Sequence, residues 1–171
     1  MRSGTEVVVF AGVVLSIMIP GGLLLRQNRE LRSVLAGPPR PIIEGAYLPP
    51  LGGYGWDSHK ATLVIALRSG CPYCEASMGF YGRIADEWKR QTLRAYPLVL
   101  YPDPAKGVRP EIRDMGRLTS MDYEKIGVVG TPTVLLVDSR GRVLRKWIGQ
   151  LSPSEEAGLL ATVRGSLLAS Q

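Results

Sequence analysis

The only two cysteines of this 171-residue chain fall in one hexapeptide, Ser69-Gly70-Cys71-Pro72-Tyr73-Cys74. Two cysteines placed at random would take that spacing on the order of once in a hundred. The flanks restrict the fold further. Thr62 to Leu67 is a short apolar, partly β-branched run that reads as a buried strand. Arg68 to Gly70 form a turn, and Pro72 falls near the first helical position, where its missing N–H costs nothing. Cys74, Met78, Tyr81, Ile84 and Trp88 recur at steps of three or four, which predicts one buried face of a helix running to about Arg90. Gly79 and Gly82 weaken that helix by roughly 1 kcal/mol each relative to alanine; close packing or a kink is the sequence-level reason for them. This order puts both sulfurs on the first helical turn. The unpaired N–H groups there favour a thiolate at Cys71, the nucleophile of thiol–disulfide exchange.

A second motif, Gly130-Thr131-Pro132-Thr133, enters the apolar run Val134 to Val137, with Pro132 58 positions after Cys74. The two motifs in this order resemble the thioredoxin superfamily, over roughly residues 41–170. The resemblance implies an α/β thioredoxin-like fold, a central mixed sheet flanked by helices. It implies that the Thr131–Pro132 bond is cis and faces the dithiol. It makes Cys71 and Cys74 the catalytic, redox-active pair, with Pro72, Tyr73, Thr131 and Pro132 touching the substrate. The partners are then protein thiols and disulfides, with an unknown electron donor. No cofactor and no resident metal are expected. Pro72-Tyr73 is also the dipeptide seen in glutaredoxins, and Tyr73 reads either as a modulator of potential or as exposed packing. Three positions depart from the family. Gly70 replaces the usual tryptophan, Ile65 stands where many members carry a buried acid, and Ser77 stands where TlpA-type proteins often carry one. Glu75 should point off the Cys74 face. The usual proton acceptor for the resolving thiol is missing or replaced.

Val7 to Leu25 is nineteen residues without a charge, about enough to cross a ~30 Å hydrocarbon layer at ~1.5 Å per residue. Val34-Leu35-Ala36 lies too far past this run, beyond Arg26, Arg29 and Arg32, for a good signal-peptide cleavage site. The expectation is an uncleaved anchor over residues 1–26, a Pro-rich linker over 27–41 and a thioredoxin-like domain over 42–171. The three arginines after the anchor argue for a cytoplasmic domain. Similarity to membrane-tethered oxidoreductases of the TlpA/ResA type argues for the periplasmic or extracytoplasmic face, which is the reading adopted. Nucleic acid is not expected. The net charge is +6, but five of the 21 Lys/Arg and two of the 15 Asp/Glu precede residue 41, leaving +3 beyond it and no basic run interleaved with aromatics.

The remaining elements follow in order. Ile42 to Lys60, rich in Gly and Pro, is expected as an irregular strand or hairpin. Ala95 to Tyr101 is a strand, with Pro97 tolerated near its start or on an edge. Pro102 to Pro110 is a loop on the dithiol side of the sheet, Pro110 to about Leu118 a short helix and Asp122 to Ile126 a turn. Val134–Val137 and Val143–Ile148 form a hairpin across Asp138 to Arg142. Ser152-Pro153-Ser154-Glu155 is a capping box that opens a last helix, buried through Leu159 or Leu160, Val163 and Leu167.

Other residues have plain readings beside the sharper ones. Arg68 could assist the thiolate or be a solvated strand-end arginine. His59 reads as a surface residue, and Trp56, Trp88 and Trp147 as packing. The leading function is a membrane-tethered thiol–disulfide oxidoreductase. The runner-up is a Cu(I) metallochaperone of the same fold, since two thiolates and a nearby histidine suit a soft cation. A scaffold that merely retains the disulfide is the third.

Overall fold

The computed structural model describes residues 40–101, 109–113 and 115–166. The predicted anchor Val7–Leu25, most of the loop from Pro102 and the predicted helix contact of Leu167 lie outside them. Among the described residues no helix is long and apolar enough to cross a membrane.

Five strands form one sheet: β1 (Ala61–Ala66), β2 (Tyr96–Leu100), β3 (Arg117–Thr119), β4 (Thr133–Asp138) and β5 (Val143–Ile148), in the order β3-β2-β1-β4-β5. β1 pairs parallel with β2, and β2 parallel with β3, while β4 runs antiparallel to both β1 and β5. The helices are α1 (Pro72–Ala76), α2 (Met78–Lys89), α3 (Pro110–Arg113) and α4 (Pro153–Ala161).

β1 is buried along its whole length because both faces of the sheet are covered. Leu63 and Ile65 face a core shared with Phe80, Tyr81 and Ile84 of α2 and Leu159 and Leu160 of α4. Val64 and Ala66 face a second core with Leu48, Leu51, Tyr54, Trp56, Tyr123 and Ile126. Successive side chains of a strand point to opposite faces, so a doubly covered strand is an unbroken apolar run.

The capping box is present: Ser152 Oγ accepts the Glu155 N–H while the Glu155 carboxylate accepts the Ser152 N–H. The segment before β1 is held as irregular structure, with isolated bridges Tyr47↔Arg142 and Leu51↔Tyr54. Pro97 is the second residue of β2, ahead of its first pair with β3 at Leu98↔Arg117, in an inner strand. Three expectations need correction. The helix from Pro110 stops at Arg113, and Leu118 belongs to β3, a strand held in place by parallel pairing to β2. The helix after the dithiol is two helices, broken at Ser77, whose φ of −90° and ψ of 0° interrupt the turn. Its buried face includes Phe80, whereas Met78 and Trp88 are only half-buried.

The glycines of α2 are not there for close packing, since a Cβ at Gly79 or Gly82 meets nothing within 4 Å. Gly79→Ala and Gly82→Ala are therefore expected to stabilise the fold by about 0.4–1 kcal/mol each, by restricting the unfolded chain. Thermal melting checks this, and a lowered midpoint would reveal a contact or kink that needs glycine.

Candidate functional site

β1 ends at Ala66, and the chain turns through residues 67–70 into α1. Gly70 has φ +68°, a left-handed conformation that glycine adopts without strain. The position of the family's tryptophan is thus occupied by a residue whose backbone favours glycine. Cys71 is the N-cap of α1, and its Sγ accepts the Cys74 N–H at 3.2 Å. Pro72 occupies the first helical turn, as predicted.

The cis Thr131–Pro132 bond lies across from this turn. The Cys71 S–H donates to the Thr131 carbonyl, with Sγ 3.2 Å from the oxygen. The loop is pinned from both ends: Thr133 Oγ donates to the Gly130 carbonyl at 2.7 Å, and the Gly149 N–H donates to the Pro132 carbonyl at 2.8 Å. The structure therefore brings together Cys71, Cys74, Thr131 and Pro132 from segments sixty positions apart.

The two sulfurs have unequal surroundings. Both are free thiols; Cys71 is 9% exposed and Cys74 1%. Burial works to raise Cys71, but side-chain hydrogen bonds with Cys74 and Thr131 and the backbone of Cys74 and Tyr73 outweigh it, holding this thiol below its ordinary value. Burial, then the hydrogen bond with Cys71, pushes Cys74 up to about 11, against a lowering hydrogen bond from the Arg68 backbone. Ile65, at the position of the missing acid, shares an apolar cluster with Cys74. Ser77 is buried and its hydroxyl donates to the Tyr73 carbonyl at 2.8 Å. Glu75 points outward and pairs with Arg109. Burial and the nearby Cys74 charge push the Tyr81 hydroxyl well above the ordinary tyrosine range.

Arg68 is exposed in the turn, and the forces lowering Cys71 are hydrogen bonds rather than its guanidinium. His59 precedes β1, a strand length of about 20 Å from the dithiol at ~3.3 Å per residue. It stacks on Tyr96 with centroids 4.0 Å apart, and its Nδ1 lies 3.0 Å from the Tyr54 hydroxyl. Among the described residues no three of His, Cys, Asp and Glu gather as metal ligands. Trp56 is buried and its indole N–H donates to the carbonyls of Leu48 and Pro49.

Sequence reasoning named Tyr73 but missed the two exposed apolar residues that accompany it, Val129 and Ile148. Tyr73, Val129 and Ile148 are 62%, 57% and 51% exposed, and all three belong to segments that meet at Cys71 or Pro132. Beside Tyr73 a groove of about 540 Å³ is walled by the Gly149–Pro153 loop and Glu155. The one available signal was position: Val129 lies in the irregular chain just ahead of the Thr-Pro-Thr motif, and Ile148 ends β5, the edge strand of the sheet. Tyr123, buried beneath the turn, was also missed.

The geometry can be set beside known proteins. A comparison with curated proteins finds no match. Solved structures of similar fold include a thiol:disulfide interchange protein from Bacteroides sp., 14% identical, with a TM-score of 0.55 over 76% of this chain and 96% of that one. A candidate thiol:disulfide interchange protein from Chlorobium tepidum is 16% identical, with a TM-score of 0.52 over 72% and 99%. A candidate thioredoxin from Neisseria meningitidis is 23% identical, with a TM-score of 0.51 over 71% and 89%. The family model for the thioredoxin-like domain matches residues 57–164, which contain the dithiol turn, the cis-proline loop and all five strands. The chain therefore belongs to the thioredoxin-like domain family.

Proposed function

We propose that this protein is a thiol–disulfide oxidoreductase acting on protein disulfides through Cys71 and Cys74. The observation that carries the reading is the 3.2 Å approach of Cys71 Sγ to the Thr131 carbonyl, which sets a helix-capping thiol against a cis-proline loop. In the reducing direction the Cys71 thiolate attacks a substrate disulfide, forming a mixed disulfide and releasing one substrate thiolate. Cys74 then attacks Cys71 Sγ and releases the second. Two electrons pass to the substrate and the Cys71–Cys74 disulfide remains. Pro72, Tyr73, Thr131 and Pro132 hold the partner's chain, and the exposed Tyr73, Val129 and Ile148 suit an apolar polypeptide surface. The interchange activity named for two of the fold neighbours agrees with this reading. With dithiothreitol as electron source, the protein should accelerate reduction of insulin's interchain disulfides. A rate no faster than dithiothreitol alone removes the reading.

The same proposal includes a tether at Val7–Leu25 with residues 42–171 on the extracytoplasmic side. It rests on the length of the apolar run and on the fact that protein disulfides persist mainly in oxidising compartments. Arg26, Arg29 and Arg32 weigh against this orientation. Alkaline phosphatase fused after Gln171 should be active, and green fluorescent protein fused there should be dark. The opposite pair of results would place the thiols in the cytoplasm.

A further inference from the structure

Cys71 Sγ accepts the Cys74 N–H at 3.2 Å. That N–H and the Tyr73 carbonyl are the two ends of one peptide unit, planar and rigid. The carbonyl end is held twice by a single residue. The Ser77 hydroxyl donates to it at 2.8 Å and the Ser77 N–H at 3.1 Å. A carbonyl inside an α-helix ordinarily accepts one N–H, from four residues on. Here a second donor occupies its other lone pair. The Ser77 N–H is divided between this carbonyl and that of Cys74, 3.2 Å away, so the hydroxyl is the shorter and undivided hold on Tyr73. Ser77 ends α1 with φ −90° and ψ 0°, and it is buried. A buried hydroxyl needs a partner, and a carbonyl four residues back is a common one for a helical serine. In this turn that carbonyl belongs to the peptide whose N–H reaches the attacking sulfur.

We propose that Ser77 is a positioning residue for the nucleophile, its hydroxyl holding and polarising the Tyr73–Cys74 peptide so that the Cys74 N–H donates more strongly to Cys71 Sγ. Two effects act together. A second donor on the carbonyl fixes the plane of the peptide, so the N–H stays aimed at the sulfur. It also draws charge toward the oxygen and makes the N–H a better donor. A better donor favours the charged form of the sulfur it reaches. Burial works to raise the Cys71 thiol, and the Cys74 N–H is among the hydrogen bonds that outweigh it. The hydroxyl thus acts on the nucleophile through one peptide unit.

The inference deepens the dithiol reading and rests on it for its functional consequence, and the test keeps the two apart. In the full chain carrying Cys74→Ser, whose residue 74 keeps its N–H, alkylation of Cys71 by iodoacetamide is followed against pH with and without Ser77→Ala. The alanine should lower the thiolate fraction below the midpoint about twofold or more, which moves the midpoint up by about 0.3 or more. Thr162→Ala removes a hydroxyl bonded in the same way to the Gly158 carbonyl at the end of α4, and it should leave Cys71 unchanged. Reaction of the same chains with a small aromatic disulfide gives a second readout. A more basic thiolate is the stronger nucleophile, so Ser77→Ala should slow the attack below the midpoint and raise its plateau above it. Loosened packing alone would not move the two arms in opposite directions. Should Ser77→Ala fail to fold, the amide resonance of residue 74 in the Cys74→Ser chain decides: it and the Tyr73 carbonyl-carbon resonance should shift as Cys71 ionises. An unaltered or lowered midpoint in a folded Ser77→Ala protein, an equal shift in Thr162→Ala, or a residue-74 amide indifferent to Cys71 overturns the proposal. If the wild type exchanges no disulfide, the proposed function fails, yet the Cys71 titration still stands or falls alone.

Discussion

Cys71→Ser should reduce disulfide exchange to the uncatalysed rate, while Cys74→Ser should keep the first attack and accumulate mixed disulfides. The asymmetry follows from the surroundings of the two sulfurs. Cys71 caps α1, accepts the Cys74 N–H and is held below its ordinary value. Cys74 is more deeply buried and pushed up to about 11. Near neutral pH the available thiolate is therefore on Cys71. The sign of the pH dependence is fixed by the same fact. The rate of first attack rises as Cys71 deprotonates and levels off once it has, with a midpoint below the ~8.5 of a free thiol. Alkylation against pH in the Cys74→Ser chain, with gel detection of trapped partners, measures both. Trapping by Cys71→Ser instead, or a midpoint at or above that of a free thiol, would reverse the assignment.

Gly116→Ala should be the most damaging of the conservative backbone substitutions. Gly116 has φ +45°, and a Cβ there would lie 1.8 Å from the Pro97 carbonyl oxygen. That oxygen belongs to the main chain of an inner strand and cannot swing aside as a flexible side chain would. The methyl group would force β3 away from β2 just where their pairing begins, at Leu98↔Arg117. Left-handed strain and the collision together should cost about 3 kcal/mol or more, a large part of an ordinary domain's stability. Urea unfolding would show it, and an unchanged midpoint would mean that the turn at Gly116 can relocate.

The parts of the fold that were legible in the sequence are those with local signals. β1 is an unbroken apolar run because it is covered on both faces, and the last helix announces itself by its capping box. The β4–β5 hairpin was legible from the turn chemistry of Asp138 to Arg142, where the Asp138 carboxylate accepts the N–H groups of Arg140 and Arg142. β3 was not legible: Arg117-Leu118-Thr119 has no periodicity, and only its partner β2 makes it a strand. The break at Ser77 was hidden for a related reason, since the apolar spacing continues through it. At the site, Cys71, Cys74, Thr131 and Pro132 stood out because they form motifs. Tyr123 did not, because a tyrosine in a short turn says nothing about its hydroxyl reaching the carbonyl of Leu67, 56 positions away.

Covering the second face of the sheet with residues 42–56 has a consequence for how this domain can be cut. The family match starts at residue 57, yet Ile42, Leu48, Leu51, Tyr54 and Trp56 are each buried to 93% or more. At roughly 1.5–3 kcal/mol per buried apolar side chain, a fragment begun at the edge of that match would forfeit about as much free energy as the net stability of a typical domain. It would also lay bare the undersides of Val64, Leu98, Leu135 and Val137 as one continuous sticky sheet surface. The Pro-rich stretch ahead of β1, which carries no helix or strand beyond a single turn, is thus the floor on which the reactive end of the molecule stands.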